Sequence, residues 1–226
     1  MIELAPLAVL LLVVWGTVVG LDLVSLPQAM ISRPLVAGTV AGWLAGDVEA
    51  GLRVGVVLEL FALDVLPIGA VRYPDYGPAT VVAAALVAGA PWELGLGLSV
   101  GVALGLAILG GWSLQLVRRR NARAIQQRAA ALAAGESGAI RRLQYGGLLR
   151  DALRGAVLTA AGLAVACAAA RWIWLDRRTA VGLTLVAIGS GLAAAAGGAV
   201  RSAGRGARLK WLVAGVGAGT LLAVLR

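Results

Sequence analysis

Residues 34–66 read PLVAGTVAGWLAGDVEAGLRVGVVLELFALDVL. The stretch is apolar almost throughout, yet no uninterrupted run in it reaches the ~20 residues that a bilayer-spanning helix needs. Gly46-Asp47 divides it, Pro34 opens it and Pro67 follows it. Apolar segments too short to span, cut by glycine and proline, are the sequence mark of broken or re-entrant membrane helices. Lipid cannot satisfy the backbone groups such breaks release, so those groups are expected inside protein or along a wet cavity.

Working outward, residues 4–21 form an uncharged run read as the first membrane helix. A cleavable signal is a poorer reading, because Met1-Ile2-Glu3 has no basic n-region and Gly20-Leu21-Asp22 is a poor cleavage site. Residues 79–92 form another short apolar segment, and all seven prolines lie within the first 91 positions. Residues 94–117 are long enough to span. A basic section, 118–154, follows with nine arginines and two acids, and three further spans are expected at 155–170, 179–200 and 209–225. The expected fold is all-α: a polytopic, multi-pass protein with full-length helices and, in its first half, short broken or re-entrant hairpins. It divides into a broken-helix, acid-containing half (1–117), a basic cytoplasmic loop (118–154) and C-terminal spanning helices (155–226) of a single membrane domain. Glycines at every fourth position (Gly38, Gly42 and Gly46; Gly51 and Gly55; Gly97, Gly101 and Gly105) predict closely packed helices.

Composition agrees. Hydrophobic residues make up 60% of the 226, charged residues 14%, and mean hydropathy is +0.90, outside the range of soluble domains. The lone Cys167 sits in an apolar run and there is no histidine. That excludes a disulfide framework, a Cys/His metal site and any imidazole acting as base or phosphoryl acceptor. The formal charge of +9 is unevenly placed: residues 1–117 carry three arginines against eight acids, and residues 118–226 carry seventeen bases against three. Bases gathered between apolar helices set topology through the positive-inside rule, so nucleic acid is not an expected partner. The rule puts 118–154 in the cytoplasm. Counting spans from there puts 171–178 outside, where Arg171, Arg177 and Arg178 fit the rule less well although Trp172 and Trp174 suit an interface, and 201–210 inside, which its four bases fit.

The chemistry-bearing residues are acids among apolar neighbours. Asp22 ends the first helix, Glu59 lies within Val56-Val57-Leu58-Glu59-Leu60-Phe61, Asp64 follows five residues later, and Asp75 sits in Tyr73-Pro74-Asp75-Tyr76-Gly77-Pro78. A carboxylate at mid-bilayer costs ~2.5–3.5 kcal/mol on insertion scales, so such residues face a cavity or a partner. Asp22, Gln28, Glu59, Asp64 and Asp75 are therefore the candidate lining of a polar pocket, with Glu59 either binding ligand or pairing with Arg53 or Arg72. Asp47 and Glu49 read as flanking a surface turn. No Ser or Cys has a histidine to activate it, and neither a GxxxxGK[ST] loop nor HExxH occurs. No catalytic group, metal or cofactor is expected.

These residues resemble a family. Gly20-Leu21-Asp22, then Gln28-Ala29-Met30-Ile31-Ser32-Arg33-Pro34-Leu35, Gly42, Gly46-Asp47, Gly51, Gly55, Leu58-Glu59-Leu60, Ile68-Gly69-Ala70 and Pro74-Asp75 are similar to the IIC subunit of the mannose/fructose/sorbose family of the bacterial phosphotransferase system (PTS). Leu153-Arg154-Gly155 also looks like that family. The resemblance implies a sugar permease subunit of the cell (inner) membrane, not itself an enzyme. It implies as partners a IID-like membrane subunit, cytoplasmic IIA and IIB phosphocarriers that bring the phosphate, the sugar and membrane lipids, in an oligomeric assembly. Two other classes fit the same acids. In an ion-coupled secondary transporter they would form the ion site, and an uncoupler would collapse uptake. A non-transporting regulatory or structural membrane subunit would bind no sugar.

The basic section yields a topological prediction. In a background lacking Cys167, Ala130→Cys is expected to resist a membrane-impermeant thiol reagent added outside intact cells, and rapid labelling there would reverse the orientation.

Overall fold

The computed structural model describes residues 4–65, 71–88, 91–173, 175–203, 210, 213–215 and 217–218. The expected span at 209–225 lies largely outside them, as do Ile68-Gly69-Ala70, Pro67, Trp174 and most of the basic stretch 201–210. The described chain is all-helical: α1 (Pro6–Asp22), α2 (Pro34–Ala45), α3 (Val48–Ala62), α4 (Tyr76–Val87), α5 (Trp92–Gln126), α6 (Ala129–Ala133), α7 (Ser137–Trp172) and α8 (Arg177–Ala203).

Proline and glycine set the helix limits in the first half. Pro6 and Pro34 open α1 and α2 at the first helical position, where the missing N–H costs nothing. Gly46, with φ +87°, closes α2 in the left-handed conformation that glycine adopts without strain. The Asp47 amide returns to Gly42 O (2.8 Å), and the Asp47 carboxylate caps α3 by accepting from Ala50 N (2.9 Å). The turn between α2 and α3 is therefore two residues long. At 1.5 Å per residue these helices, with 12 and 15 residues, are about 18 and 22 Å long, short of the ~30 Å hydrocarbon core.

The glycine ridges hold this hairpin together. A Cβ on Gly42 would lie 2.7 Å from Gly51 Cα, one on Gly51 2.6 Å from Gly42 Cα, and one on Gly55 2.7 Å from Pro34 O. Backbone meets backbone, as small-residue spacing allows. The later ridge behaves differently. Gly97 abuts α8 at Leu183, but Gly101 and Gly105 face open space.

α4 is the centre of the molecule. Every residue from Gly77 to Val87 is buried, and α1, α2, α3, α5 and α7 all pack on it. Among the described residues, three helices are long and apolar enough to cross a membrane: Leu94–Gln126, Ser137–Trp172 and Arg177–Ala199. Their outer faces expose Ile108, Leu109, Trp112, Val157, Val165, Leu185 and Val186, an apolar surface suited to lipid. At the head of α8, Asp176 accepts from the Thr179 hydroxyl and amide and from Arg178 N. These bonds hold its carboxyl below the usual range.

The basic section 118–154 is largely helical, as the alanine- and glutamine-rich stretch 121–134 predicts: α5 runs on through Gln126, α6 lies between, and α7 begins at Ser137 after a break at Gly135-Glu136. Its last residues are not solvated, because Asp151 and Arg154 are buried.

The glycine contacts predict a sharp contrast. Gly51→Val, which drives a branched side chain into the α2 backbone, is expected to abolish accumulation of assembled protein in membranes, whereas Gly101→Ala leaves it at the parental level. Immunoblots of membrane fractions after mild-detergent extraction read both, and normal yield of Gly51→Val would refute the close approach.

Candidate functional site

The helix breaks converge on a cavity of about 330 Å³, lined among others by Asp22, Gln28, Ser32, Arg33, Tyr73 and Tyr76. That volume lies within the ordinary range for small-molecule sites. The irregular segment after α1 forms one wall, the first turn of α2 another, and the extended chain entering α4 a third.

Asp22 organises the first wall. One carboxylate oxygen accepts from Ala29 N (2.7 Å) and the other from Ser32 N (3.0 Å), so the segment folds back over the end of α1. Gln28 donates to Leu23 O (3.3 Å) and is exposed toward the cavity. Arg33, immediately before Pro34, projects from the start of α2 and forms an ion pair with Glu59 of α3. The second oxygen of Glu59 accepts from Leu35 N (3.2 Å). Glu59 is thus one residue behind the cavity wall, fixing the guanidinium that faces it.

A buried ionic cluster supports the third wall. Arg154 of α7 donates to Asp75 (2.6 Å), Asp151 (2.7 Å) and Gly20 O (3.3 Å). Ser25 donates to the free oxygen of Asp151 (2.5 Å). Asp75 also donates its amide to Ala107 O (2.8 Å), an approach that Gly110 and Gly111 permit because a Cβ on either would strike residues 73–75. Tyr73 is held from the other side, its hydroxyl accepting from Arg118 (2.7 Å).

The five residues singled out in the sequence therefore separate. Asp22 and Gln28 line the cavity, and Glu59 reaches it through Arg33. Asp75 lies beneath the wall, wholly buried in the cluster with Arg154. Asp64 is turned toward α8, where a Cβ on Gly198 would come within 2.7 Å of its Oδ1. The partner of Glu59 is Arg33 and neither of the arginines expected: Arg53 pairs with Glu49 on its own helix, and Arg72 stacks on Trp112.

Sequence reading did not place Arg33, Tyr73 or Tyr76 at the cavity, nor Asp151 and Arg154 in the cluster beneath it. Signals existed for two groups. Tyr73 and Tyr76 are two of only three tyrosines in the chain, both beside Pro74-Asp75, and Asp151 and Arg154 are an i,i+3 pair at the mouth of an apolar run.

The site offers hydroxyl, carboxamide, guanidinium and carboxylate groups beside two aromatic rings. Such a set hydrogen-bonds a neutral polyol while apolar ring faces cover its C–H surface. No group of three or more potential metal-ligating side chains occurs among the described residues.

Comparison with known proteins bears on the same region. A family model described as "PTS system sorbose-specific iic component" matches residues 6–204. The sorbose-specific EIIC component of Klebsiella pneumoniae is 30% identical over 135 residues, 60% of this chain and 49% of that protein. The fructose permease IIC component of Bacillus subtilis is 36% identical over 104 residues, 46% and 38% of the two chains. The mannose-specific EIIC component of Escherichia coli is 30% identical over 105 residues, 46% and 39%. The chain spans about half the length, or less, of these curated relatives. Among solved structures, one described as "Structure of membrane protein" superposes with a TM-score of 0.77 at 24% identity, covering 99% of this chain and 96% of the other. A chain from the mannose transporter ManYZ, solved in complex with a microcin, gives 0.64 at 23% identity, covering 99% and 95%. These likenesses establish the shared membrane-protein fold. With the match extending over residues 6–204, the chain belongs to the family of sorbose-specific IIC components of the phosphotransferase system.

Proposed function

We propose that this chain is the sugar-translocating IIC subunit of a mannose/fructose/sorbose-type phosphotransferase permease, and that the cavity beside Asp22 is its sugar site. One observation carries the reading. The polar cavity lies where α1 and α2 break, bounded by the Asp22, Gln28 and Arg33-Pro34 positions that the family frame contains. Gln28, Ser32 and Arg33 supply hydrogen bonds to sugar hydroxyls. Asp22 shapes the segment that presents them, Glu59 sets the angle of Arg33, and Tyr73 and Tyr76 offer ring faces.

Partners follow from membership of the family: a IID-like membrane subunit completes the permease, and cytoplasmic IIA and IIB proteins carry the phosphate and transfer it to the sugar, a division of labour with which the histidine-free sequence agrees. The setting is the inner cell membrane, crossed several times. Asp64 and Asp75 act at a distance from the sugar, by holding α8 and α4 against the site.

Two substitutions test the assignment by isothermal titration of the purified permease with mannose, fructose and sorbose. Hydrogen bonds to charged groups are worth ~1.5–3 kcal/mol. Glu59→Gln, which releases Arg33 from its ion pair, is therefore expected to weaken sugar binding about ten- to a hundredfold with membrane yield unchanged. Unaltered affinity with reduced yield would make Glu59 purely structural. Gln28→Ala, which removes an exposed carboxamide, is expected to weaken binding by up to about tenfold, and parental affinity would take Gln28 out of the site.

A further inference from the structure

The molecule contains a second cavity, of about 360 Å³, walled by Val24, Ser25, Asn121, Ile125, Gln144 and Arg150 among others. It lies between the arginine-rich ends of α5 and α7, on the other side of the chain that bounds the first cavity. Asp22 and Leu23 line the first cavity and Val24 and Ser25 line the second. The chain at residues 22–25 therefore borders both cavities.

The partition is fastened by polar bonds. Ser25 donates to Asp151, Arg154 joins Asp151 to Asp75, and Arg154 also binds Gly20 O at the end of α1. Arg150, one helical turn before Arg154, lies on the second cavity and donates to Asn121, a neutral partner. The segment from Leu23 to Arg33 is irregular, and Met30, which lines the first cavity, has a φ of 62°, a region that non-glycine residues rarely occupy. Irregular chain held by a few hydrogen bonds opens more readily than a packed helix.

The two linings also match in kind. Gln28 and Arg33 face the first cavity, and Asn121, Gln144 and Arg150 face the second, each set beside aliphatic side chains. Both offer carboxamide and guanidinium groups of the sort that bind a polyol.

We infer that the second cavity is the onward station of the sugar path, and that the Ser25–Asp151 bond, backed by the fixed Arg154, is the closed gate between the two. Sugar leaves the Asp22 cavity when the 22–25 segment swings away from α7, and it passes to the arginine-rich end, where a phosphate-bearing partner would meet it. This inference rests on the proposed function, and the experiment separates failure of one from failure of the other.

The test uses native-membrane vesicles and a Cys167→Ser background, because Cys167 is exposed. Equilibrium binding of radiolabelled mannose, fructose and sorbose is measured first. Gln144→Cys is then modified with thiol reagents of increasing size, and uptake is followed. A benzyl-sized adduct is expected to lower uptake about tenfold while sugar still binds, the split that marks a blocked later step. Ser25→Ala, which removes one fastening of the gate, is expected to raise downhill sugar flux without any phosphate donor about tenfold. Full uptake with the largest adduct in place overturns the inference, and so does a Ser25→Ala flux equal to the parent's. If the unmodified parent binds none of the three sugars, the proposed function itself falls, before any adduct is attached.

Discussion

One buried guanidinium ties the molecule together. Arg154 meets the carbonyl at the end of α1, the carboxylate at the head of α4 and an acid on its own helix, so three elements distant in sequence share one charge. Withdrawing a partner from such a buried pair costs about 3–5 kcal/mol, because the remaining charge is stranded. α4 is too short to span and is buried along its length, so it cannot be anchored by lipid. The Arg154–Asp75 bond fixes its N-terminal end in depth, and the Ala107 carbonyl fixes the chain that leads into it.

The cavity is a by-product of the same constraint. Breaking α1 and α2 around residues 23–33 releases backbone amides that water or protein must satisfy. Asp22 satisfies two of them, and the α2 terminus is served in part by Glu59 through Leu35 N. The acids that stabilise the break therefore also shape the hollow, and the groups left facing it are their neighbours Gln28, Ser32 and Arg33.

Much of this was legible in the sequence, at the level where periodicity and composition speak. Short apolar halves around Gly46-Asp47 gave the hairpin, and the glycine spacing gave its close contact, because backbone approach requires small residues at regular intervals. Asp22 and Gln28 could be found because a polar residue at the end of an apolar run must answer to something nearby. Asp64 and Asp75 were grouped with them on the same logic, but an intramembrane acid can face another helix as readily as a cavity, and only the fold chooses. Arg154 was hidden by averaging: eight other arginines in residues 118–150 made it read as one more solvated base. The glycines at 101 and 105 show the reverse error, since a spacing suited to close packing carries no information about whether a neighbour is present.

The burial of α4 also has a consequence for biogenesis. Its 12 residues are too few for insertion as an independent membrane segment, and part of its surroundings is supplied by chain that comes later. Gly162 of α7 packs against Val82, and Arg154 closes over Asp75. The ribosome must pass residue 162 before the central helix has its full complement of neighbours. Until then an apolar helix waits without a finished place, so the core of this protein is assembled from the outside inward.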